Sequence, residues 1–165
     1  MSGLNQYFSD TPFMIWLALF PLTYLIHITE EYFGGEGYST YLFKNYGVEL
    51  SPSRFLVLQS LGLLLMTAGL LLAVRFKFPR TMLAIVAAVV ISNAAIHATR
   101  SITGARYEPG LVSAIGLWLP LGLVTLYEAS GGMTAVRFSL ATLVGLAISG
   151  LVEVITSRGG KLVNS

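Results

Sequence analysis

Residues 54–75 read RFLVLQSLGLLLMTAGLLLAVR, and this stretch decides the fold. Between Arg54 and Arg75 no side chain carries a charge, and the one amide is Gln59. A helix rising 1.5 Å per residue needs about 20 mainly apolar residues to cross the roughly 30 Å hydrocarbon core of a bilayer. This run supplies them, and it lacks the period-two alternation of a barrel strand. It begins after Ser51-Pro52-Ser53, a helix-start signal.

Working outward, four further runs read the same way. Residues 12–33 open at Asp10-Thr11-Pro12 and stop at Gly34-Gly35; residues 80–102 follow Pro79. Residues 110–129 begin at Pro109-Gly110 and stop before Gly131-Gly132, and residues 133–157 close at Gly159-Gly160. The expectation is an all-α, polytopic membrane helical bundle of about five transmembrane helices, one domain over residues 1–165. Composition agrees: 55% of residues are hydrophobic and only 11% charged, where a soluble domain carries roughly 25%. In lipid the backbone must satisfy its own hydrogen bonds, which helices do. The first run has no Lys or Arg before it and is too long for a signal peptide, so it is expected to stay as a spanning helix.

Charge excludes some functions. The net charge is +2, and the basic residues are scattered through loops, so nucleic acid has no electrostatic footprint to bind. The chain has no cysteine, hence no disulfide and no thiolate metal ligand. Short connections make neighbouring helices antiparallel, which sets the ends of the first, third and fifth on one side. That side carries Lys44, Arg54, Arg100, Arg106, Arg158 and Lys161, against Arg75, Lys77, Arg80 and Arg137 opposite. The count favours a cytoplasmic placement, while the tight cluster of Arg75, Lys77 and Arg80 argues the reverse. In the longest loop, residues 34–53, Tyr38, Tyr41, Phe43 and Tyr46 read as an interfacial aromatic belt or as a lid.

Ionisable groups inside membrane helices are costly and usually mark function. His27, Glu30 and Glu31 share a face of the first helix by their spacing of three and four, with Thr23 extending the stripe. Asn93, His97 and Arg100 do the same on the third, Glu153 lies on the fifth and Gln59 early on the second. Counted from the helix starts, these groups fall near one depth on one side, joined there by Tyr107 and Glu108 of the loop before the fourth helix. Glu128 is the exception, at the far end of the fourth helix. Each residue alone has a structural reading: a hydrogen-bonded core histidine, a snorkelling arginine, a glutamine bridging helices. Shared depth favours a site.

The ordered set His27-Ile28-Thr29-Glu30-Glu31, then His97, then Tyr107-Glu108-Pro109-Gly110 resembles the HXXEE family of small bacterial membrane proteins over residues 12–126. The resemblance implies a bacterial inner-membrane protein with these as its signature residues, and no defined activity.

Three chemistries suit the residues. The first is a metal site, with His27, Glu31 and His97 holding zinc, or with Glu153 added as a further ligand in a carboxylate-rich di-metal set that would take iron. Histidine and carboxylate at i and i+4 resemble the inverted zincin arrangement, and two histidines with one glutamate leave an open position for water. Glu30 would act as general base, while Asn93, Tyr107 and Arg100 would orient ligands or hold an oxyanion. Such an enzyme would act on a lipidic or other apolar small molecule in the bilayer. The second is metal-free acid/base isomerisation or cyclisation by a buried glutamic acid paired with His97. The third is proton or metal-ion transport, against which stands the gathering of polar groups on one side.

Overall fold

The computed structural model describes residues 11–160, with side chains from residue 15. Asp10 and Lys161, used above, lie outside that range. Six helices follow one another: α1, Thr11–Phe33; α2, Tyr38–Tyr46; α3, Pro52–Arg75; α4, Pro79–Gly104; α5, Leu111–Ser130; and α6, Ala135–Ser157. The described residues contain no strand.

Among the described residues four helices, α3 to α6, are long and apolar enough to cross a membrane. The sequence counts five. The first segment is a 23-residue helix as expected, and its last third carries His27, Glu30 and Glu31. Large apolar side chains stand bare on the outside, among them Leu64, Leu65, Leu143 and Leu151. Water disfavours such a surface; hydrocarbon does not.

Helix α4 is the hub and packs against α3, α5 and α6. Its buried face is built from Ala84, Ala87, Ala88 and Ala94 with Leu83, Val86 and Val90, small residues that let neighbours approach closely. Gly145 of α6 shows how closely, since a Cβ there would lie 2.4 Å from the Ile85 carbonyl oxygen. Phe20, Leu70 and Trp118 join α4 in the main apolar core.

Two features depart from the sequence reading. The loop of residues 34–53 contains α2, which buries Tyr38, Tyr41 and Leu42 at positions i, i+3 and i+4 against Leu50 and Phe55. Only Phe43 and Tyr46 of its aromatic residues are exposed. The second is in α5, where residues Ala114–Trp118 form a π turn and the Leu119 N–H bonds to the Ala114 carbonyl five residues back. Pro120 follows directly. Its missing N–H and its ring conflict with an α-turn closing on Gly116, and the chain widens into the π turn directly ahead of it.

Candidate metal centre

His27 and Glu31 lie one turn apart on the buried face of α1, and His97 reaches them from α4. All three are buried, at 1%, 3% and 2% exposure. Glu31 Oε1 stands 3.6 Å from His27 Nε2 and 3.5 Å from His97 Nε2. One ligand atom from each of the three lies within 4.8 Å of the others. Tetrahedral zinc with bonds of about 2.0–2.1 Å sets its donor atoms about 3.3 Å apart. The observed separations are close to that and long for hydrogen bonds. His27 Nε2 is buried with no hydrogen-bond partner, which a bound cation would resolve.

The far sides of His27 and Glu31 are hydrogen-bonded, and a carboxylate stands near that of His97, whose Nδ1 makes no hydrogen bond. His27 Nδ1 is 2.9 Å from Ser113 Oγ, and His97 Nδ1 is 3.4 Å from Glu108 Oε1. Gln59 Nε2 donates to Glu31 Oε2 at 2.6 Å, and the Tyr24 hydroxyl donates to Gln59 Oε1 at 2.7 Å. Partners on the outer nitrogen of a ligating histidine fix its tautomer and ring orientation. The Trp118 ring, at the end of the π turn, lies 3.8 Å from the His27 ring. Glu108 is fully buried, and burial pushes its carboxyl up to about 7 against the opposing pull of His97 and Arg100.

Glu30 faces elsewhere. Its carboxylate accepts from the Tyr107 hydroxyl at 2.7 Å and from the backbone N–H groups of Val112 and Ser113 at 2.9 and 2.6 Å. These are the open donors of the first turn of α5, whose own cap position is Gly110 and has no side chain to offer. The general base expected from sequence is thus a cap supplied from another helix. Tyr107 reaches outward to Glu30, while its neighbour Glu108 enters the cluster.

Glu153, expected as a ligand, is paired with Arg100 and stays out of the His/Glu cluster. Helix α6 meets α4 on a different side from α1, so Glu153 reaches Arg100, one turn past His97, and not His97 itself. Arg100 also donates to the Tyr38 hydroxyl at 2.9 Å and lies 3.4 Å from Glu108 Oε1. Asn93 sits one turn before His97 with its buried Oδ1 unbonded. Glu128 is exposed.

Gly110 closes the cluster. A Cβ there would lie 2.8 Å from Glu31 Cγ and 2.9 Å from Cε1 of both His27 and His97, and its φ of +95° already favours glycine. The sequence placed Glu108 in the polar layer and Gly110 in the motif without giving either a role, and it did not single out Ser113. The Tyr107-Glu108-Pro109-Gly110 run was the one signal for Glu108 and Gly110; Ser113 had none.

A family model described as "Protein of unknown function with HXXEE motif" matches residues 18–125. No curated protein and no solved structure matches the chain significantly.

Proposed function

The chain belongs to the HXXEE family, whose description is a motif and not an activity, and we propose from the geometry that it is a membrane-embedded metal-dependent enzyme with zinc held by His27, Glu31 and His97. The convergence of three buried donor groups, with Glu31 Oε1 3.5–3.6 Å from both histidine Nε2 atoms and a ligand atom of each within 4.8 Å of the others, carries this reading. Three protein donors leave one position open, the pattern of catalytic rather than structural zinc. A bound ion of this kind lowers the pKa of water and polarises a carbonyl or phosphoryl oxygen.

The chain's own residues supply the rest. Gln59 occupies Glu31 Oε2 and leaves Oε1 turned toward the histidines. Ser113 keeps the Nδ1 proton of His27, so that its Nε2 lone pair aims inward, and the Glu108 carboxylate stands 3.4 Å from His97 Nδ1. A cavity of about 220 Å³ reaches Glu31 between α1, α2 and the start of α3, lined by Tyr32, Tyr38 and Phe55. It is smaller than the roughly 300–1,000 Å³ of a pocket that encloses a whole ligand. It suits the reacting group of a lipidic substrate whose tail stays in the bilayer.

Elemental mass spectrometry of detergent-purified protein tests the reading. Near-stoichiometric zinc is expected in wild type and loss of it in His27→Ala, Glu31→Ala and His97→Ala, with Glu153→Ala unaffected. Iron in place of zinc would redirect the chemistry to oxidation. Metal-free wild type, with folded variants, would sink the metal site. It would leave a second reading that rests on His97 standing 3.5 Å from Glu31 and 3.4 Å from Glu108, two buried carboxylates flanking one imidazole. That arrangement suits proton transfer to an apolar substrate.

A further inference from the structure

A second cavity lies away from the cluster. It measures about 370 Å³ and is lined by Ser92, Ala95, Ile96, Thr99 and Arg100 of α4 and by Glu153 of α6. Residues on a helix advance 100° each, so the centre of this face lies roughly 130° round α4 from His97. The groove is therefore on the outside of the bundle, and it is not the chamber that reaches Glu31.

Its two ends differ in chemistry. Ser92, Ala95 and Ile96 give it a shallow, mostly apolar floor along a membrane-spanning helix. Arg100 and Glu153 close it four residues before the ends of α4 and α6, at the level where a span leaves hydrocarbon. We propose that this groove binds an anionic phospholipid of the surrounding bilayer, with its phosphate on the Arg100 guanidinium and an acyl chain along Ser92, Ala95 and Ile96. Guanidinium groups pair with phosphate oxygens through parallel N–H donors.

Arg100 has an inner and an outer side. On the inner side it donates to the Tyr38 hydroxyl and lies against the fully buried Glu108. On the outer side its partner is Glu153, whose side chain is one-third exposed and lines the groove. Exchanging Glu153 for a lipid phosphate keeps the guanidinium paired and releases a carboxylate that is already one-third exposed. The inner contacts stay in place, so Arg100 joins the lipid to α2 through Tyr38 and to His97 through Glu108.

The test is independent of metal content. Detergent-purified protein is titrated with short-chain phosphatidylglycerol and with phosphatidylcholine of the same chains, and bound lipid is counted by native mass spectrometry. Wild type is expected to prefer phosphatidylglycerol by about ten-fold or more. Arg100→Gln should abolish the preference and Arg100→Lys reduce it. Glu153→Gln, which removes the competing carboxylate, should bind at least as tightly as wild type. Ala95→Trp fills the groove while leaving the Arg100–Glu153 pair intact, and it should lose the lipid even if Arg100→Gln fails to fold. Equal binding of both lipids by wild type, undiminished preference in Ala95→Trp, or weakened binding in Glu153→Gln would overturn the proposal. Competition by millimolar inorganic phosphate as effective as by the lipid would also overturn it, marking a free-anion site instead.

Discussion

A Cβ on Gly110 would press on His27, Glu31 and His97 together, at 2.8–2.9 Å from each. Gly110→Ala is therefore expected to lower thermal stability by about 1–3 kcal/mol from strain and overpacking. Metal content should fall with it; a variant that melts and loads like wild type would show that the loop packs more loosely on the cluster. Glu30 gives the opposite pattern. Glu30→Ala removes the cap on two N–H groups of α5 and the Tyr107 hydrogen bond. A loss of about 1–2 kcal/mol is expected, with metal retained in the protein that folds. Loss of metal at unchanged stability would return Glu30 to the site as a direct participant. The motif thus divides its labour: His27 and Glu31 face the cluster, and the glutamate between them fixes the loop that carries Glu108 and Gly110.

Helix α5 brings Ser113 and Trp118 to the same imidazole, one by hydrogen bond and the other by ring contact. In a regular α-helix residues five apart lie about 140° round the axis. The π turn between them, closing i to i+5, brings them onto one face. Gly116 is exposed, and a Cβ added to it would meet nothing within 4 Å. Deleting it would make the two residues i and i+4 in an ordinary helix. They would still share a face, and metal binding is expected to survive. Inserting one alanine after Gly116 sets them six apart, about 240° round the axis, and metal affinity should fall by about 10–100-fold, as for a lost ligand-orienting partner. Equal metal binding in the two variants, read by competition with a chromogenic chelator, would remove the π turn from the account. Helix α2 illustrates the same scale in a different way. Its buried stripe of Tyr38, Tyr41 and Leu42 had helical spacing in the sequence. Nine residues between glycines nevertheless read as loop, because so short a helix is held by packing on Phe55 and not by its own propensity.

Across the whole molecule, α4 holds the site because its neighbours approach it closely. Gly145→Leu would drive a side chain into the Ile85 backbone and Ala88. It is expected to destabilise the bundle by about 1–3 kcal/mol, read as a lower melting temperature in detergent. Gly150→Leu, with nothing within 4 Å of its Cβ position, should cost little by comparison. Equal effects of the two would mean that α6 does not approach α4 through Gly145. The apolar runs, their glycine and proline boundaries and the depth of His27 and of His97 were legible, since each follows from spacing along one helix. Depth alone also suggested Glu153, and there it misled: residues at one level still face different directions, and α6 meets α4 on the side of Arg100.

The sequence by itself determined an all-helical, lipid-compatible bundle, because hydrophobic length and helical period are local properties that no packing detail can reverse. It also determined which turns of α1 and α4 carry the ionisable side chains. Only the tertiary structure decided the roles within those turns. Glu30 and Glu31 are adjacent and chemically identical, yet one caps α5 and the other meets two histidines. The 100° step between adjacent helical residues points them at different neighbours, and the sequence does not say which neighbour stands where.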